Sequence, residues 1–215
     1  MSLTVWPNNR EPYHGDIIQG QLGNCFLIAS LQSIASCQPN LLKSIVEISP
    51  LRCFFFRHGQ RVEIPIQLEP LSEDYQYAKS TSNDFHWPYI IEQAYVRFHG
   101  GRYDNLIGGN TSETFYDLLG LPVVEIDSNE EQLWDKIQKG LRDKTLLITG
   151  GHVEINKENL ISTEMSNGLR TNHAYVILAT YNHLPSREKY VLIHNPHGWN
   201  HFKMENNRIR QVSSI

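Results

Sequence analysis

The segment CFLIASLQSIAS, residues 25–36, constrains the fold more than any other stretch of the chain. Phe26, Leu27, Ile28, Ala29, Leu31, Ile34 and Ala35 recur at spacings that nearly encircle a helix. A helix apolar on most of its sides has no face to offer water, so the rest of the chain must wrap it. Its first residue is Cys25, preceded by the glycine-bearing QGQLGN of residues 19–24. Free cysteine is among the most buried residue types, so Cys25 is either an inert thiol at the foot of a core helix or a nucleophile placed there.

The material available for wrapping falls into two kinds. Pro39 ends the central helix, and residues 41–48 are expected to form a second, short one. CFFFRHGQRVEIPIQL (53–68) reads as two strands around His58-Gly59-Gln60. Residues 69–85 are polar and read as a loop. Trp87-Pro88 opens a helix that carries Ile90, Ile91, Ala94, Tyr95 and Phe98 and stops at Gly100-Gly101. Gly108-Gly109-Asn110 makes a turn, after which Thr111 or Ser112 caps a helix through Leu119; residues 130–141 form another amphipathic helix. LLITG (146–150), AYVILATY (174–181) and KYVLIHN (189–195) are rich in β-branched and aromatic residues, with HLPSRE (183–188) joining the last two. Helices first and an antiparallel sheet second predict an α+β fold. The length suits one domain over 1–215, or two small subdomains sharing a cleft, mostly helical to about residue 120 and β-rich from 121 onward.

Composition narrows the function classes. A chain of 215 residues can bury a core without disulfides, and three cysteines cannot form a complete disulfide framework, which fits a reducing compartment. The net charge of −4 argues against nucleic acid as partner. The N-terminal MSLTVWPNNREPYHGD lacks a charged start and apolar run, and the longest dense apolar run is far short of the ~20 residues of a membrane span. The expected setting is the cytoplasm, or secretion as an effector without a recognisable signal, and no membrane partner is expected.

A cysteine nucleophile needs a lowered thiol pKa, which the positive end of a helix supplies, and a base oriented by a third group. Cys25 holds the predicted helix start. His173 opens one predicted strand and Asn195 ends the strand that hairpins back, so antiparallel pairing sets ring and amide side by side. The order cysteine, histidine, asparagine and its spacing suit a papain-type triad. Gln19, six residues before Cys25, can supply an oxyanion donor together with the Cys25 N–H. His152 and His194 are rival bases; Cys37 and Cys53 read as core thiols.

QGQLGNCFLIAS resembles the calpain active-site segment Q-G-x-L-G-D-C-W-x-L-A-A. WPYIIEQAYVRFHGGRYDNLIGGNTSETFYDLLG (87–120) is similar to a second calpain block, and NHAYVIL with LIHNPHG to the family's G-H-A-Y and R-N-P-W-G segments. The resemblance covers about residues 16 to 199 and implies a papain-like fold. It also implies Cys25 as nucleophile, His173 as base and acid, Asn195 as orienter and Gln19 as oxyanion donor. Gly108 and Gly109 match a loop that meets substrate backbone, and Asn172 stands at the substrate side where the family has glycine. Asn24 replaces an aspartate, with local turn hydrogen bonds expected of it; Phe26 and His197 each replace a tryptophan.

No cofactor or metal is expected. Asp16 occupies a calcium-ligand position of the family, but calcium is not favoured: near Phe85, where a second ligand belongs, only Asp84 is adjacent, and Asp16 reads as a surface or capping carboxylate. The implied activity is a cysteine endopeptidase acting on a protein or peptide substrate, within a larger assembly or under a regulatory partner. Two alternatives stand beside it. The same triad could serve an acyltransferase, transglutaminase or deamidase, or the fold could be an inactive binding module.

Overall fold

A computed structural model describes residues 4–67, 77–127, 130–145, 148–150, 169–199, 202–205 and 208–211. The chain divides into two units, Met1–Val124 and Glu125–Ile215.

In the first unit a 3-10 turn, His14–Asp16, leads into strand β1 (Ile17–Ile18) and then helix α1 (Cys25–Cys37). Phe26 through Ala35 are all buried, the polar Ser30, Gln32 and Ser33 among them. The helix tolerates its buried polar groups because they bond to backbone: Ser30 Oγ donates to Phe26 O at 2.8 Å, and Gln32 Nε2 to Ile17 O at 3.1 Å. Helix α2 (Pro39–Ser44) follows, with proline in its first turn.

The expected second helix stops short. Val46–Ile48 is strand β2, paired antiparallel with β3 (Leu51–Arg57). The β-branched Val46 and Ile48 share one face of the strand, with Glu47 on the other, and β3 offers open backbone groups to them. Strand β4 (Gln60–Pro65) completes a three-stranded sheet through a His58-Gly59 turn with both φ angles positive, as the sequence signal predicts. Within the stretch expected to be loop, Lys79–Ser80 forms strand β5 against β1; residues 68–76 lie outside the described part.

Helix α3 (Trp87–Phe98) begins at the predicted proline and is buried at every position but Arg97. Phe55 of β3 packs edge-on to Tyr95, 5.5 Å between centroids, and lies 5.2 Å from Phe98. Helix α4 (Thr111–Leu119) packs against α1 and β3. Its cap is Asn110 rather than Thr111 or Ser112: Asn110 Oδ1 accepts from Ser112 N at 2.8 Å, with the N-cap one residue earlier than expected.

In the second unit helix α5 runs Leu133–Arg142, three residues later than predicted at its start. Strand β6 (Ile148–Gly150) pairs with β7 (Ala174–His183), which pairs with β8 (Glu188–Asn195), all antiparallel. Residues 146–147 of the predicted strand lie outside the described part. Strand β8 also pairs with the short β9 (Gly198–Trp199) and with β10 (Phe202–Glu205), which pairs with β11 (Arg208–Gln211). Trp134 and Ile137 of α5 pack with Leu169, Tyr175, Ile177, Val191 and Ile193 to form this unit's core. Helices dominate the first unit and antiparallel strands the second, the α+β arrangement of a papain-like fold. Among the described residues no helix is long and apolar enough to cross a membrane.

Candidate active site

Cys25 is the first residue of α1 and is half-buried. The turn before it is pinned from three directions. Gln19 Nε2 donates to Leu22 O at 2.7 Å, and Leu22 O also accepts the Asn24 N–H at 2.8 Å. Gly108 N donates to Gly23 O at 3.0 Å, tying the glycine loop to the turn. Asn24 Nδ2 donates to Glu92 Oε1 at 2.6 Å, so Asn24 makes a contact 68 residues away instead of the expected local one. A turn held this way presents the helix start, and the sulfur on it, in one position.

The two glycines of the loop serve different ends. Gly108 has φ +75°, a left-handed conformation that disfavours a side chain, and a Cβ there would meet nothing within 4 Å. At Gly109 a Cβ would lie 2.6 Å from the ring of Phe26. The far end of the phenyl beside the nucleophile therefore occupies the space a Gly109 side chain would take, and that packing demands glycine.

In the second unit His173 precedes β7 and is 5% exposed. Its Nε2 donates to Asn195 Oδ1 at 2.8 Å, the pairing that the hairpin predicts. Asn195 Oδ1 also accepts the His197 N–H at 3.1 Å. Two donors on one atom identify it as the amide oxygen, which assigns the proton to Nε2 and the lone pair to Nδ1. The register produces this directly: Asn195 pairs with Gly198 across a two-residue turn that holds His197. There the His197 ring stacks on that of His173, 5.3 Å between centroids and 7° between planes. Tyr175 meets the other ring edge-on at 4.8 Å, its hydroxyl accepting from Arg170 N. Burial pushes the His173 pKa down to about 4, Asn195 opposes the shift, and the charges of His197 and Arg170 add to it.

Asn172 adopts φ +48°, which explains how asparagine fills a position where the resembling family has glycine: it is the residue that best tolerates that region after glycine. The rival base His194 is 3% exposed on β8, opposite Val176; His152 lies outside the described residues. Cys53 is buried and its thiol pKa is pushed up to about 12 by burial, as a core thiol should be. Cys37 is only half-buried at the end of α1, so it is not a core residue.

Asp16 is wholly buried rather than on the surface, while the capping half of its reading holds: its carboxylate accepts the N–H of Tyr13, the N-cap of the 3-10 turn. Arg10 grips both carboxylate oxygens, Nη1 to Oδ2 at 2.8 Å and Nη2 to Oδ1 at 2.5 Å, and the Tyr13 N–H adds 3.1 Å to Oδ2. A carboxylate filled by a guanidinium fork does not fit a calcium ligand. Among the described residues no three His, Cys, Asp or Glu side chains gather as a metal site.

Glu92 escaped the sequence reading. It sits within the apolar run WPYIIEQAYV, and a carboxylate inside a wholly apolar helix face was the available signal.

A family model described as calpain family cysteine protease matches residues 9–208. Calpain clp-1 of Caenorhabditis elegans is 29% identical over 177 residues, covering 75% of this chain and 22% of that protein. Human calpain-14 is 28% identical over 201 residues, 85% of this chain and 28% of the relative. The chicken calpain-2 catalytic subunit is 27% identical over 197 residues, with 85% and 28% covered. The chain thus spans about a quarter of the length of these relatives. The match to nearly all of its residues shows that the chain belongs to the calpain family of cysteine proteases.

Proposed function

We propose that the chain is a cysteine endopeptidase core in which Cys25, His173, Asn195 and Gln19 carry the chemistry. The His173–Asn195 hydrogen bond carries this reading: it orients the ring and leaves Nδ1 as the base. Nδ1 takes the Cys25 thiol proton as the sulfur attacks the peptide carbonyl carbon and a C–S bond forms. The Cys25 N–H and Gln19 Nε2 stabilise the oxyanion, Nε2 still holding a second hydrogen beyond the one given to Leu22 O. The same proton passes from His173 to the leaving amine as the C–N bond breaks. Water, deprotonated by His173, then resolves the thioester to a carboxylic acid and returns the thiol. A thiolate drawn near His173 raises the ring's pKa from its low resting value, so the base is strongest when it is needed.

The substrate class is protein or peptide, with Gly108 and Asn172 presenting backbone to it. The test is incubation of the protein with an unfolded protein under reducing conditions and sequencing of new N-termini. Wild type is expected to generate them and Cys25→Ala to generate none, with an unchanged circular dichroism spectrum. Equal cleavage by Cys25→Ala overturns the assignment. Amine adducts on the substrate without new N-termini turn the reading toward acyl transfer.

A further inference from the structure

Asparagine at the position before a helix ordinarily turns its side-chain oxygen onto the N–H groups two or three residues ahead. Asn24 does not. Its φ of −103° and ψ of 32° set it at the N-cap of α1, yet its side chain makes no capping bond. It turns inward, giving Nδ2 to Glu92 Oε1 at 2.6 Å. Glu92 is wholly buried on α3, and its Oε2 accepts the Ala78 N–H at 2.9 Å, beside β5. Those two donors are the partners of a carboxylate in its ionised form, which only accepts.

We propose that Glu92 is a positioning residue for the nucleophile: by holding the Asn24 amide away from α1, it keeps the positive end of that helix directed at the Cys25 sulfur instead of at a capping oxygen. The inference rests on Cys25 being the nucleophile. An Asn24 oxygen on the Phe26 N–H would place partial negative charge at the helix start and disfavour the thiolate. Residue 24 must also be neutral for the link to hold with Glu92 ionised. Two carboxylates at this distance cannot both ionise, so the amide here replaces a shared proton.

Protonation of Glu92 switches this arrangement. Burial pushes its pKa up to about 7, with the Ala78 N–H and the Asn24 amide opposing. The acid form has lost the charge that holds Asn24 Nδ2, and the amide is released to turn Oδ1, which is buried without a hydrogen-bond partner, onto the Phe26 N–H. Tyr77 and Lys79 flank Ala78 in sequence and Cys25 follows Asn24; the Tyr77 ring lies 4.3 Å from that of Tyr103, tilted by 39°. Asn24 and Ala78 supply the hydrogen bonds of Glu92 itself.

The experiment is the rate of Cys25 alkylation by iodoacetamide from pH 5 to 9, in wild type and Glu92→Gln, with thermal melts of both. Wild type should show a step near pH 7 besides the titration of the thiol. Glu92→Gln should lose that step and react about fivefold more slowly at pH 8. Superimposable profiles overturn the proposal. If Glu92→Gln does not fold, the Asn24 side-chain amide resonances of wild type decide: a midpoint near pH 7 supports the switch, and pH-independent shifts overturn it. Alkylation needs no peptide substrate, so a protein that shows the step but cleaves nothing refutes the peptidase reading alone.

Discussion

At His173 a single amide oxygen decides which ring nitrogen is left for chemistry. Asn195 Oδ1 takes Nε2–H and is itself fixed by the His197 N–H, so a tautomer exchange breaks the first bond and turning the amide to restore it breaks the second. The stacked His197 adds a second titratable ring where the family carries an indole. A positive charge on His197 disfavours one on His173, which is the direction of its contribution. His197→Trp is therefore expected to raise the His173 pKa from about 4, read from the ring carbon-bound proton shifts by NMR. A value unchanged or lower shows that the stacking has no electrostatic part. Both residues were legible in the sequence as a pattern, because period-two strands joined by a short connection leave few registers. The stacking was not, since it depends on the turn that only pairing of β8 with β9 creates.

Helix α1 is held by what meets its first turn. Phe26 lies against Gly109, which a methyl group would approach to 2.6 Å. Gly109→Ala should force the ring and the helix start apart, costing about 1–3 kcal/mol of stability and lowering the Cys25 alkylation rate. A chemical denaturation curve and the alkylation assay measure the two effects; an unchanged midpoint would show that the loop yields freely. Upstream, the solvent-facing Arg10 neutralises buried Asp16. Millimolar calcium is expected to leave the melting midpoint of wild type unchanged, and a rise on adding calcium would show that the ion displaces the guanidinium. Arg10→Met should lower the midpoint, because a buried carboxylate without its partner is costly. The central helix itself was readable from its all-round apolarity. Strand β2 was not, because Val46–Ile48 becomes a strand only by pairing with β3.

Across the molecule, two buried titratable groups place opposite demands on pH. Glu92 has its pKa raised from the ordinary 4.5 to about 7, so its contribution to stability is fully present below 4.5 and is lost as pH rises through 7. His173 has its pKa lowered from 6.5 to about 4, so its contribution is present above 6.5 and is lost as pH falls through 4. Each is worth on the order of 3 kcal/mol. Between pH 7 and 5 the first unit should gain protection against hydrogen exchange while the second loses it, resolved by mass spectrometry of peptides from each. Glu92→Gln should flatten the trend in the first unit only. Parallel change in both units would show that other groups dominate.

By itself the sequence determined the family, the α+β order of elements, the buried central helix and the four candidate catalytic positions, because each is written in local spacing or in a contiguous motif. The tertiary structure alone decided that Asn24 turns from its own helix to Glu92, that Asp16 is closed by Arg10, and that His197 covers His173. Those contacts join residues whose partners are set by packing and burial. An amide or carboxylate with several partners within reach takes the one that burial leaves unsatisfied, and no spacing rule encodes that choice.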